Sequence, residues 1–219
     1  MKLTCVLKKR FLHRETVALA VNGTVVASLV SGAEVEMELP ERERYYLALA
    51  TEKAYDGITV LTAERDEVHL TVTKEKKAYS LDTEGAKVEV LSLGRLLSVL
   101  CDEGQLPYLC AWERCAFFVL LYLDLNRRDA LLESPHLFEI KEALAEMGET
   151  EIVQRMARAI DACELTLPLD PMKKLTPEEE TAMVESYHIF WSEAETVPEG
   201  EDERVLLRLY DFIYENTKN

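Results

Sequence analysis

The chain has 219 residues, of which 48% are apolar and 30% charged, and this composition excludes a disordered or collagen-like protein. The net charge is −16, from 41 acidic and 25 basic residues, which disfavours nonspecific binding to nucleic acid or to an anionic membrane. The length suits one large domain or two small ones.

Residues 1 to about 91 have the pattern of β-strands. Asn22-Gly23 stands between two β-prone runs, residues 16–21 and 24–29, and this spacing predicts a hairpin with a type I′ turn. Residues 34–39 alternate acidic and apolar side chains, as in a strand with one wet face. We predict an antiparallel β-sandwich over residues 1–91. Its further strands are predicted at residues 3–8, 45–50, 58–62, 67–73, 78–81 and 88–91.

From Ser92 onward, apolar residues recur at helical spacing. Ser134-Pro135 is typical of a helix start and Gly148 of a helix end. The sequence Thr176-Pro177-Glu178-Glu179 has the spacing of a capping box. We therefore predict an α-helical bundle over residues 92–219, and a two-domain α+β protein as a whole. Its helices are predicted near Leu93–Leu100 and at residues 109–126, 134–148, 150–163, 176–193 and 202–216.

The charge is divided unevenly between these halves. Residues 1–91 hold 13 basic and 15 acidic residues, whereas residues 92–219 hold 12 and 26, a net charge of −14. We therefore expect the helical half to bind a basic protein partner, displacing nucleic acid from it, rather than to bind nucleic acid itself. A solvated acidic surface is the alternative interpretation.

Two groups of carboxylates are the predicted partner-binding residues. Glu139, Glu142 and Glu146 recur at steps of three and four and form a row on one predicted helix. A second group precedes and opens the last helix, where the helix dipole also favours negative charge. This run without a base consists of Glu193, Glu195, Glu199, Glu201, Asp202 and Glu203.

Signs of catalysis are sparse. Glu185 and His188 have the Glu-x-x-His spacing of di-iron helical bundles, but the sequence contains no second such pair. Cys110 and Cys115 lie in the most apolar predicted helix, where burial disfavours a reactive thiolate. We predict no catalytic residue, cofactor or metal. The alternative is a small-ligand or metal-dependent enzyme with a site between the two domains, near Glu185 and His188.

The helical half resembles the bacterial all-helical DNA-mimic protein family. The similarity lies in residues 137–148, continues through residues 152–160 and returns in residues 209–216. It implies an acidic surface that occupies a DNA-binding protein. The strand-rich half resembles small β-sandwich modules of Gram-positive bacterial proteins, through Val21-Asn22-Gly23-Thr24-Val25-Val26 and residues 32–39. That similarity implies binding or packing and no catalysis.

Cysteine usage and hydropathy predict the compartment. The five cysteines include no Cys-x-x-Cys pair, which favours reduced thiols. The most apolar run, residues 115–123, is shorter than the about 20 residues that a membrane span needs. The first ten residues carry charge where a secretory signal has its apolar core. We expect a cytoplasmic protein without membrane attachment.

Overall fold

The computed structural model describes residues 1–8, 16–51, 54–75, 78–93, 96, 98–99, 103–126, 130–170, 174–191 and 200–218. Contacts divide the chain into two compact units, Met1–Arg95 and Leu96–Asn219. Strands occupy the first unit and helices the second. The predicted change from strand to helix along the chain is therefore confirmed.

Nine strands lie in the described part of the first unit, in two sheets. The first sheet has the order β4-β1-β7-β8 and the second the order β3-β2-β5-β6-β9. The strands are β1 (Lys2–Leu7), β2 (Thr16–Val21), β3 (Thr24–Val30), β4 (Glu34–Glu38), β5 (Tyr45–Thr51), β6 (Ala54–Ala63), β7 (Glu67–Glu75), β8 (Ala78–Glu84) and β9 (Ala86–Leu91).

The prediction of a purely antiparallel arrangement is wrong at one pair. Strands β1 and β7 run parallel, with Leu3 opposite Val68 and Leu7 opposite Val72. Parallel neighbours need a long connection, and here the intervening strands supply it. The sequence pattern of each strand shows which face is apolar, but it carries no information about the direction of a partner so distant in the chain.

The predicted hairpin turn is confirmed. Asn22 and Gly23 have positive φ angles of 56° and 89°, as a type I′ turn requires. Asn22 also ties the hairpin to β5, because its backbone N–H donates to the Tyr46 carbonyl at 2.7 Å and its Oδ1 accepts from the Tyr46 N–H at 3.0 Å.

Apolar side chains from both sheets form one buried cluster. Strand β4 contributes with half-buried Val35 and Met37, while its three glutamates are exposed, as their alternation predicts. The cluster includes Leu3, Cys5, Leu7, Val17, Leu19, Val21, Leu29, Leu39, Tyr45, Leu47, Leu49, Leu61, Val68, Leu70 and Val72.

In the described part of the second unit, residues 96, 98 and 99 are helical. A short 3-10 helix, Glu103–Tyr108, and five further α-helices follow. They are α1 (Ala111–Asn126), α2 (Leu137–Glu146), α3 (Thr150–Ala162), α4 (Pro177–Phe190) and α5 (Glu201–Thr217). Helix α1 packs against α2 and α5, and α3 packs against α2 and α4. Of the predicted helix near Leu93–Leu100, the described residues 96, 98 and 99 are helical, whereas residues 94, 95, 97 and 100 lie outside the described residues. Among the described helices, none is long and apolar enough to cross a membrane.

The helix ends agree with the sequence at two of three places. The Thr176 Oγ1 accepts from the Glu179 N–H and the Glu179 Oε2 accepts from the Thr176 N–H, so the capping box is confirmed. Helix α2 ends just before Gly148, whose φ is +77°. The predicted start at Ser134 is wrong. Its Oγ accepts from the His136 N–H in a turn that precedes the helix, and α2 begins only at Leu137.

Candidate functional site

The predicted row of glutamates lies on the exposed side of α2. Glu139, Glu142 and Glu146 are all exposed, and the opposite side of the helix buries Leu137, Ile140, Ala143 and Leu144. Residues three and four apart on a helix are surface neighbours. The three glutamates, called the acidic row below, therefore form one continuous strip of negative charge.

One end of the acidic row also affects a buried thiol. Burial, with a smaller contribution from the Glu146 carboxylate, raises the pKa of Cys115 to about 12. The Cys115 thiol donates to the Ala143 carbonyl, with 3.7 Å between sulfur and oxygen. Since a thiolate is the reactive form, Cys115 is a packing residue of the helical unit.

The second predicted acidic group is divided by the structure. Glu193, Glu195 and Glu199 lie outside the described residues. Glu203 is exposed and Asp202 is half-buried. Glu201 is buried, with 5% of its surface exposed, and its carboxylate lies 2.5 Å from Nη2 of Arg155. The prediction that Glu201 offers its charge to a partner is therefore wrong, because an internal arginine already binds it.

Glu201 belongs to a group of charged side chains around two buried carboxylates, called the interior charge cluster below, in which the Arg204 and Arg208 side chains are 39% and 45% exposed. It consists of Glu149, Arg155, Glu201, Arg204 and Arg208. Arg204 pairs with Glu149 through Nη1, and its Nη2 lies 3.9 Å from Oε2 of Glu201. Arg208 Nε lies 3.2 Å from Oε1 of Glu149. The cluster joins the start of α3 to the start of α5.

The position of Glu149 depends on the turn before it. The chain reverses at Gly148, whose carbonyl accepts from Arg208 Nη1 at 3.0 Å. Glu149 is fully buried just before the first turn of α3, where unpaired N–H groups and the helix dipole favour a negative charge. Glu149 therefore does not extend the acidic row, because its side chain faces two arginines of α5.

A phenol contacts Glu201, and two aromatic rings contact its partner Arg155. The Tyr122 hydroxyl of α1 donates to Glu201 Oε1 at 3.0 Å. Burial, and secondarily the charge of Glu201, raises the pKa of Tyr122 above its ordinary value, so the phenol remains a donor. The Arg155 guanidinium lies 5.2 Å from the ring centre of Phe190 and 5.6 Å from that of Trp191, within the range of cation–π attraction.

These contacts make the interior charge cluster an anchor between helices. Each carboxylate is held by at least one guanidinium, so neither is placed to exchange a proton with a substrate. Glu113 is also used internally, since its Oε2 accepts from the Cys110 N–H at 2.9 Å in front of α1. Without the five cluster residues, residues 92–219 hold 24 acids (26 less two) and nine bases (12 less three). Internal pairing therefore leaves the acidic excess of the unit in place.

The residues of the alternative, enzymatic interpretation lie at the surface. Glu185 and His188 are both exposed on α4. His136 lies 3.7 Å from Glu103, through its Nε2 and that carboxylate's Oε2, and its ring is 5.5 Å from that of Phe118. Within the described ranges, no three His, Cys, Asp or Glu side chains come together as a metal site requires.

The interior charge cluster was missed by the sequence analysis, although two signals were present. On α5, the buried positions recur every four residues, and they are Glu201, Val205, Leu209 and Ile213. The same spacing relates Arg204 to Arg208. A charged residue in phase with an apolar stripe predicts an internal ion pair, provided that an opposite charge lies in phase on a neighbouring helix.

No protein family, no curated protein and no solved structure matches the chain.

Proposed function

We propose that this is a non-enzymatic interaction protein whose acidic helical unit binds a basic protein partner in place of nucleic acid. The observation that supports this most is the exposure of the whole acidic row in a unit whose arginines 155, 204 and 208 are directed at internal carboxylates. These three arginines therefore pair with buried carboxylates and not with the acidic row.

A cost in stability supports the same proposal. Like charges three or four residues apart on a helix destabilise it by about 0.2–0.5 kcal/mol per pair. A basic groove that binds DNA gains affinity by neutralising a row of phosphates, and a row of carboxylates presents the same charge to it. The resemblance to DNA-mimic proteins implies this mechanism for the helical unit.

The test is a triple variant, Glu139→Gln, Glu142→Gln and Glu146→Gln, compared with a control of equal charge change, Glu133→Gln, Glu164→Gln and Glu185→Gln. The control residues are also exposed. Immobilised protein is used to capture basic proteins from a lysate, with double-stranded DNA as competitor. We expect wild type and control to capture DNA-binding proteins that free DNA displaces, and the row variant to lose at least nine-tenths of that capture.

Salt gives a second measure of the same contact. Affinity that depends on several charge contacts falls steeply between about 50 and 200 mM salt. If the row variant and the control lose capture equally, binding depends on net charge alone, and the acidic row is not the binding site. Capture that free DNA does not compete for would overturn the mimicry.

Relief of like-charge repulsion should leave the row variant slightly more stable than wild type.

We further infer a β-sandwich for the first unit, a division near residue 91 and a cytoplasmic location. The shared buried cluster of the two sheets supports the sandwich. Four cysteines among the described residues are free thiols, which fits a reducing compartment. Limited proteolysis that releases no fragment ending between residues 82 and 95 would contradict the division.

A further inference from the structure

Strand β3 differs from the other strands at the ends of the two sheets. Among the described residues it pairs only with β2, so it is an edge of the five-stranded sheet. An edge strand presents unpaired N–H and C=O groups that can accept another strand, and proteins usually protect it with charged side chains. The other three edges carry such charges: Glu34, Glu36 and Glu38 on β4, Asp82 and Glu84 on β8, and Lys87 and Glu89 on β9.

The hairpin that contains β3 carries no charge at all. Residues 16–33 contain no Asp, Glu, Lys, Arg or His, and this is the longest uncharged stretch of the chain. On β3, Ala27 and Leu29 face the core, whereas Val26, Ser28 and Val30 are exposed. Val25 beside the turn is 58% exposed. The exposed side of this edge is thus apolar or neutral along its whole length.

We propose that β3 is a self-association edge, at which a second copy of this chain adds its own β3 in antiparallel pairing. The choice of occupant follows from charge. Two copies of a chain with a net charge of −16 repel each other at most orientations, whereas pairing of β3 with β3 sets two strands without charged side chains against each other. A two-fold axis across one edge places the same uncharged strand on both sides, and main-chain hydrogen bonds supply the affinity.

The association is weak and depends on concentration and salt. One pair of short strands buries less than the about 1,000 Å² of a stable interface. Salt screens the repulsion between the remaining surfaces, so the dimer strengthens as salt rises. A basic partner on the acidic row would show the opposite salt dependence. The two proposals are therefore independent, and either can fail alone.

Sedimentation equilibrium of the full chain tests the proposal. We expect a reversible monomer–dimer equilibrium whose dissociation constant falls at least threefold between low and high salt. A chain that stays monomeric at high salt and high protein concentration would overturn the proposal.

A matched pair of variants locates the interface. Ser28→Lys places a charge in the middle of the β3 edge, and Val90→Lys places one on the edge strand β9, where Val90 is 80% exposed. Both change the net charge by the same amount. We expect the dissociation constant to rise at least tenfold for Ser28→Lys and less than twofold for Val90→Lys. Equal effects would show that β3 is not the interface.

Hydrogen exchange of the wild-type protein keeps the test valid if Ser28→Lys fails to fold. Amides of residues 24–30 should gain protection as the protein concentration increases, while those of β9 should not. Protection that appears only when an uncharged strand-forming peptide is added, and not with protein concentration, would identify a foreign strand as the occupant and overturn self-association.

Discussion

Glu201 and Glu203 show how strongly the surroundings of one residue decide its role. Both lie in the first turn of α5, and both were predicted to meet a partner. Glu203 is exposed, whereas Glu201 is buried among Arg155, Arg204 and Tyr122. A charge removed from water needs a partner of opposite charge and good geometry. The same side chain is thus a surface charge at one position and a link between helices at the other.

Replacing Glu201 by Gln tests this difference. The amide keeps the size of the side chain and an oxygen for Tyr122, but Arg155 loses its charged partner and remains largely buried. Removing one member of a buried ion pair costs about 3–5 kcal/mol, and we expect a loss in the lower part of that range, because Arg155 retains its aromatic neighbours. The free energy of unfolding in urea measures it.

Glu203→Gln is the control, since it removes the same charge from the same helical turn at an exposed position. We expect a change within about 0.5 kcal/mol of zero, as for most surface substitutions. Equal losses in the two variants would show that the effect comes from the helix dipole and not from the interior charge cluster.

Among the elements, α4 has a helix start that the sequence specifies locally. Thr176 and Glu179 each accept from an N–H group that the helix start would otherwise leave unpaired, and Pro177 has no N–H that needs a partner. Helix α2 lacks such a start, because its N-cap, His136, makes no side-chain capping bond. Local capping therefore places the start of α4 within one residue, while packing decides where α2 begins.

The variant Thr176→Ala measures the contribution of this cap. Loss of an N-cap threonine costs about 1 kcal/mol, and we expect the stability of the helical unit to fall by that amount. Thr181→Ala is the control on the same helix, where the threonine hydroxyl donates to the Pro177 carbonyl without capping. Because alanine favours the helix interior, Thr181→Ala should leave stability unchanged or slightly raised. A loss as large as that of Thr176→Ala would contradict the capping role.

At the scale of the whole molecule, both units contain a buried thiol. Burial raises the pKa of Cys5 in β1 to about 12, and it does the same for Cys115 in α1. The ordinary value is 9.0. A group whose pKa is higher in the folded than in the unfolded chain stabilises the fold below its unfolded pKa, and this contribution is lost as pH rises. Both units should therefore lose stability between pH 9 and about 12.

We expect each thiol to lower the free energy of unfolding by at most about 1.4 kcal/mol per pH unit in that window. Urea unfolding followed at pH 7, 9.5 and 10.5 measures the slope. Cys115→Ala should reduce it for the helical unit, where the raised pKa of Tyr122 adds a further loss at the alkaline end. An unaltered slope in Cys115→Ala would contradict burial as the cause.

The existence and type of most elements could be predicted from the sequence, because they depend on local patterns. The Asn22-Gly23 turn, the alternation in β4 and the capping box at Thr176 each act within a few residues. The exposure of Glu139, Glu142 and Glu146 followed in the same way from the apolar stripe of α2. These features require no knowledge of what lies across the core.

The tertiary structure alone decided the features that join residues far apart in the chain. The parallel pairing of β1 with β7 needs the whole intervening chain to return to the same sheet. The interior charge cluster needs Glu149 and Arg155 at α3 to meet Glu201 at α5, and only that meeting makes a buried carboxylate stable. The sequence by itself determined where charge is abundant and which helix faces are apolar. Which carboxylates face the solvent and which are bound internally depended on helix packing, because the solvation of a charge is set by its neighbours in space.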